Sequence, residues 1–209
     1  MNTTHWIQPL RKIKTSLNKI KWEHLLFIGF FVITNVWYFQ GIATVPFHPD
    51  EGTTLYANDD LELLFTNPSS LFWEDDQPID RKGEIRLLDA PLRRYVVEIG
   101  RHILGADPLP VDWDWSKTWQ ENEQAGALPD SRLLLAGRMA VAFFFPFSLF
   151  FIYVLANRML NPVSAWISAI LFAGNALILL HTRRAMAEGV LVFTIIFFLW
   201  CITLRRKYF

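Results

Sequence analysis

The chain has one cysteine in 209 residues, Cys201, set inside an apolar block, so an intrachain disulfide is excluded and cysteine usage carries no compartment signal. It has no net charge either: 20 Lys and Arg balance 20 Asp and Glu, and no nucleic-acid partner is expected. No internal repeat or low-complexity tract is evident. What the chain does have is apolar bulk, 52 % of its residues with 18 Phe among them. That bulk collects in a few long blocks around one very polar stretch, the pattern of an integral membrane protein. Charge is uneven too. Residues 42–132 hold 18 acids against 8 bases, a local balance of −10, and the other bases cluster at the two ends and beside the apolar blocks.

In chain order, residues 1–24 form a basic segment with Arg11, Lys12, Lys14, Lys19 and Lys21. Trp6, Leu10, Ile13, Leu17 and Ile20 fall near one helical face, so the segment reads either as a helix on the membrane surface or as a basic tail. The positive-inside rule keeps it cytoplasmic. Residues 25–45 are long enough to cross the roughly 30 Å hydrocarbon core. They are expected to be a retained span and not a cleaved signal, because the basic segment before them is long, no clear cleavage site precedes Pro46, and Trp37, Tyr38 and Phe39 crowd its end. Residues 46–132 form the acidic extracytoplasmic loop. Within it Thr53 to Phe65 reads as a short helix, and Leu92, Val96, Ile99 and Ile103 make one apolar stripe with Arg94, Glu98 and Arg101 opposite. Such a helix would lie flat on a membrane with its charges toward water. Trp113, Trp115 and Trp119 are either interface anchors or platforms for sugar stacking.

Residues 133–160, 163–180 and 189–204 supply the second, third and fourth spans, with Arg138 in the outer end of the second. Residues 205–209 close the chain as a short basic tail. Four spans from a cytoplasmic N-terminus return the C-terminus to the cytoplasm, and Arg158 in the inner turn agrees. The expectation is an all-α, multi-pass protein of the plasma (inner) membrane, with the lipid bilayer around four transmembrane helices and amphipathic juxtamembrane helices in the first loop. The loop and the 181–188 link then lie on the same side.

Two clusters carry chemistry. In the link, Arg184 and Glu188 stand four apart and could form a simple helical ion pair, which leaves His181 and Arg183 unexplained. Guanidinium groups at a membrane boundary match phosphate, which makes Arg183 and Arg184 candidate phosphate ligands. After the first span comes the pair Asp50 and Glu51. Helix capping needs only one acid. A carboxylate beside a phosphorylated substrate could instead act as general base toward an acceptor hydroxyl, or hold a divalent ion that screens the leaving group.

These features in this order resemble the N-terminal part of the GT-C glycosyltransferase superfamily, and within it the phospholipid-carrier-dependent branch that includes protein O-mannosyltransferases and aminoarabinose transferases. The residues that carry the resemblance are Asp50-Glu51 within FHPDEGTTLYA, the run DAPLRRYVVEIGRHILG from Asp89, and HTRRAMAEGVLVF with Arg183, Arg184 and Glu188. In the second run Pro91 and Leu92 match, Arg94 takes the basic position, and Asp89 departs from the usual His. The resemblance implies a partial GT-C fold that transfers a sugar, with inversion, from a polyprenyl-phosphate donor to an extracytoplasmic acceptor. It makes Asp50 and Glu51 the catalytic acids, and Asp50 the base or a metal ligand. Arg94, Arg183 and Arg184 would hold the lipid phosphate. Glu188 would orient them or, with Asp50, a divalent metal ion. Family members carry further spans and a soluble domain, and the stretches Pro68–Leu88 and Ala106–Ser131 exceed the compact family loop. A partner membrane protein is therefore expected. The alternative is a non-catalytic membrane subunit on the same scaffold.

Overall fold

Short polar side chains set where these helices begin. Asp80, Thr118, Asp130, Asn161 and Asn175 each accept hydrogen bonds from the first backbone N–H groups of the helix that follows, satisfying donors that otherwise have no partner. The computed structural model describes residues 22–72, 78–89 and 91–205, and every regular element among them is helical. The basic segment before residue 22 and the tail after Arg205 lie outside the described residues. Helix α1 is Trp22–Gln40, α2 Pro49–Tyr56, α3 Asp60–Thr66, α4 Arg81–Leu88, α5 Pro91–Leu104 and α6 Trp119–Gln124. Then come α7 Ser131–Ala142, α8 Phe144–Met159, α9 Pro162–Gly174, α10 Ala176–Thr182 and α11 Ala187–Arg205.

Three stretches are long and apolar enough to cross a membrane: α1, the α7–α8 run of 29 residues and α11. A fourth is available if α9 and α10, which meet at 59°, count as one span. The bend was not legible in the apolar run 163–180. It arises where Asn175 turns its side-chain oxygen to the N–H groups of Leu177 and Ile178 and starts a new helix. Alone, α9 with its 13 residues is too short for a 30 Å core. Between α7 and α8 the chain departs from the helix only at Phe143, three residues before Pro146, which has no N–H to bond the preceding turn.

One apolar core joins α1, α8, α9, α10 and α11 through Tyr38, Phe145, Leu149, Phe172, Leu179 and Ile196. Tyr38 and Phe145 stack at 3.7 Å between ring centroids. A second core, with Leu55, Val97, Leu109, Leu133, Val141 and Ala185, fixes the loop helices on α7 and on the link after α10. There α5 lies against α7 so closely that a Cβ on Gly100 would stand 2.6 Å from the Ala136 carbonyl oxygen.

Two expectations for the loop change. The helix expected over Thr53 to Phe65 is two helices, because the Glu98 carboxylate from α5 accepts from the N–H groups of Leu61 and Glu62 at 2.6 and 2.7 Å and starts α3 anew. And α5 is turned over. Arg93, Arg94, Glu98 and Arg101 are buried, while Ile103 of the apolar stripe is 77 % exposed. Asp60 on α3 and the close contact with α7 draw the charged face inward, leaving Leu92, Ile99 and Ile103 of the stripe exposed while Val96 packs on the second core.

Candidate functional site

The two acids after α1 separate at once. His48 caps α2, its Nδ1 accepting from the Asp50 N–H, and Glu51 answers by accepting from the His48 N–H at 3.0 Å. Glu51 then points inward and is fully buried. Arg138 of α7 meets it in a two-pronged pair, Nε to Oε1 and an Nη to Oε2, both 2.8 Å. The other Nη donates to the carbonyls of Ile42 and Val45 at 3.1 and 2.8 Å. The Ala185 N–H donates to Glu51 Oε1 at 2.8 Å. One ion pair therefore ties the end of α1, the start of α2, α7 and the link into a single unit. With four donors on its two oxygens, Glu51 has little capacity left for a substrate.

A second network holds the loop helices together. Arg94 donates through Nε to Asp60 Oδ2 at 2.6 Å and through an Nη to the Asp89 carbonyl at 3.0 Å. Arg86 bridges Asp60 and Asp59 at 2.6 and 2.9 Å, and Lys82 reaches Asp59 at 2.6 Å. Lys82 and Arg86 hold the Asp59 carboxyl below its ordinary value against the cost of its burial. Arg94 is thus a buried structural partner of Asp60.

Its neighbour Arg93 faces the other way, into a cleft of about 390 Å³ whose walls include Asp50, Thr53, Trp115 and Glu188. Asp50 keeps its carboxylate about half exposed there, 3.6 Å from His48 Nδ1. Arg93 pairs with Asp89. Burial pushes its guanidinium down to about 10, Arg94 adding to the fall while Glu188 and Asp50 oppose it, so it stays charged at neutral pH. Among the described residues, Arg93 Nε and Glu188 Oε2 are both buried without a hydrogen-bond partner. Unsatisfied groups of opposite sign at one cleft are costly, and a ligand with donors, acceptors and negative charge would relieve them. The sequence reading missed Arg93, although the adjacent arginines were visible; nothing in the pattern said which would face the acids.

The link sends Arg183, Arg184 and Glu188 to different partners. Between Thr182 and Ala187 the chain leaves the helix, so Arg184 and Glu188 do not share a helical face. Glu188 lies instead 3.6 Å from His181 Nδ1. Arg184 reaches the Pro46 carbonyl at 3.4 Å and keeps a buried, unpartnered Nε. Arg183 closes the end of α1, donating to the Tyr38 and Trp37 carbonyls at 3.1 and 3.4 Å, with its guanidinium 5.0 and 5.1 Å from their ring centroids. That seat requires Gly41, where a Cβ would come within 2.4 Å of the guanidinium carbon.

Asp50 and Glu188 offer hard oxygens to one cleft, the donor type that a divalent cation takes, and among the described residues Glu188 Oε2 has no hydrogen-bond partner. A separate cluster, Glu62, Glu98 and His102, brings its ligand atoms within 4.8 Å of one another. It fits a cation poorly. Both Glu98 oxygens already start α3, and an Arg101 Nη lies 3.7 Å from Glu62 and 3.8 Å from Glu98.

Comparison of the chain with protein-family models, curated proteins and solved structures finds no match.

Proposed function

We propose that the chain is a module of a membrane glycosyltransferase that takes a sugar from a polyprenyl-phosphate carrier to an extracytoplasmic acceptor, with both termini cytoplasmic. The observation that carries this reading is the cleft that brings Asp50 of the loop and Glu188 of the link to a buried arginine. The loop and link acids singled out in the sequence face one space, and Arg93 supplies positive charge there.

In this reading Asp50 accepts the proton of an acceptor hydroxyl as its oxygen bonds to the anomeric carbon. The bond from that carbon to the phosphate oxygen breaks, and its electron pair leaves with the polyprenyl phosphate. Arg93 meets the charge on the leaving phosphate, with Arg184 beside the Pro46 turn as a second donor. Arg94 and Arg183 act indirectly, by holding α5 to Asp60 and the link to α1. Glu188 orients Arg93. A divalent ion on Asp50 and Glu188, if bound, would screen the phosphate charge. The cleft is small for a long prenyl chain, so a partner membrane protein completes the donor cavity.

A second reading, a non-catalytic membrane subunit, draws on the commitment of Glu51 to Arg138, which leaves a single carboxylate of the pair at the cleft. Binding separates neither reading from the other but tests the cleft itself. Arg93→Gln should weaken binding of undecaprenyl phosphate to the chain in nanodiscs roughly tenfold or more, the loss of one charge-assisted contact. Arg93→Lys should restore it only in part, because the planar fork is gone. Equal binding by wild type and Arg93→Gln would remove the cleft from the account.

A further inference from the structure

Beside the Asp50 cleft, across a ridge made by Arg81 and Trp115, lies a second groove of about 540 Å³ that the proposed transfer does not use. Its volume lies within the roughly 300–1,000 Å³ of small-ligand sites. Tyr56, Arg81, Asp112, Trp115, Ser116 and Lys117 line it. We propose that this groove is a carbohydrate subsite, binding a neutral pyranose against the face of Trp115 with its hydroxyls on Asp112 and Arg81.

The first support is the aromatic wall. Trp115 is 66 % exposed, yet it is held from behind by buried Trp113, ring centroids 6.4 Å apart and planes at 68°. Trp113 in turn packs on Trp119 and Phe47 at 5.1 and 6.1 Å. Such a backing fixes the ring and leaves one broad apolar face, the surface that the C–H face of a pyranose covers.

The second support is Asp112. Its side chain is only 10 % exposed, Arg81 takes Oδ2 at 2.8 Å, and Oδ1 is buried with no partner among the described residues. A carboxylate oxygen short of a hydrogen bond, beside an arginine and under a tryptophan face, matches vicinal hydroxyls, which donate to the one and accept from the other. The loop is also fixed in advance. Asn122, nearly fully buried, accepts from the Asp114 N–H at 2.8 Å and donates to the carbonyls of Asp114 and Thr118 at 2.9 and 3.1 Å. Asp114 binds the Ser116 N–H and hydroxyl at 2.9 and 2.7 Å, and these bonds with Lys117 draw its carboxyl down to about 2. The charged rim of Asp112, Asp114 and Lys117 argues against an acyl chain on the same ring.

Binding at this groove does not depend on transfer at the neighbouring cleft, and the test keeps the two apart. The protein in lipid nanodiscs, free of sugar-based detergent, is presented with methyl glucopyranoside, methyl mannopyranoside and glucose 1-phosphate, and saturation-transfer NMR is read. At least one neutral glycoside should receive saturation in the wild type, at least tenfold less in Asp112→Asn and Trp115→Leu, and near wild-type levels in Trp115→Phe. Unchanged thermal unfolding of the variants guards against misfolding, and Trp115 is exposed enough to be replaced safely. A response to glucose 1-phosphate that needs Arg93 but not Asp112 belongs to the first cleft. No saturation of either neutral glycoside, or equal saturation in Asp112→Asn and Trp115→Leu, overturns the subsite and returns Trp115 to the membrane surface as an anchor.

Discussion

Arg138→Met should destabilise the chain by about 3–5 kcal/mol, the cost of leaving a buried charge without its partner. Glu51 would keep only the N–H groups of His48 and Ala185, and the Ile42 and Val45 carbonyls would lose their shared donor. In a domain of this size that loss corresponds to a fall in unfolding temperature of roughly 10 °C. Glu51→Leu should cost a similar amount. The double variant should recover part of the loss, since an apolar pair can replace a buried ion pair at little cost, though not the bonds to backbone. By contrast Arg81→Gln, at an ion pair whose arginine is 52 % exposed, should cost less than either single variant. Thermal unfolding of the purified protein, followed by circular dichroism, separates these outcomes. A single variant as stable as the wild type would mean that Glu51 and Arg138 do not hold the loop to the spans.

Asp50→Asn should leave stability almost untouched and remove activity. The Asp50 side chain is 48 % exposed, and the backbone bonds that start α2 run through its N–H and through Glu51. A general base contributes about 10²–10⁴-fold, so transfer from a polyprenyl-linked sugar should fall by that factor while donor binding persists. Activity is expected from the chain together with a partner that encloses the prenyl tail, because the reaction needs a site closed to water. Turnover by the isolated chain, lost in Asp50→Asn, would show that the cleft needs no such partner. Full turnover in Asp50→Asn beside a partner would take the base away from this residue.

Much of the frame was legible from residue types. The apolar blocks marked the helices long and apolar enough to cross a membrane. Arg138 stood out as a charge in the outer end of a span, but its partner Glu51 came only from the structure. The sequence reading had Glu188 and Asp50 on the same side, and the structure lines one cleft with both. What the pattern could not resolve were choices between neighbours. Successive helical residues lie about 100° apart, so one position decides whether a charge is buried or faces a cleft. Asp50 and Glu51 divide in this way, as do Arg93 and Arg94. Both divisions depend on long-range partners, Arg138 and Asp60, which no local spacing reveals. The bend at Asn175 was hidden for another reason. A continuous apolar run raises no signal when one polar side chain ends a helix inside it.

The most direct test asks whether the loop and the link share one side of the membrane, as the cleft requires. In a Cys201→Ser background, Asp50→Cys and Glu188→Cys are each exposed to a membrane-impermeant thiol reagent in intact cells and again after permeabilisation. Both side chains are partly exposed, at 48 % and 39 %, so both thiols are reachable by a reagent present on their side. The account predicts that both label in intact cells, and that permeabilisation adds little. Labelling of one with protection of the other until the membrane is opened would contradict it.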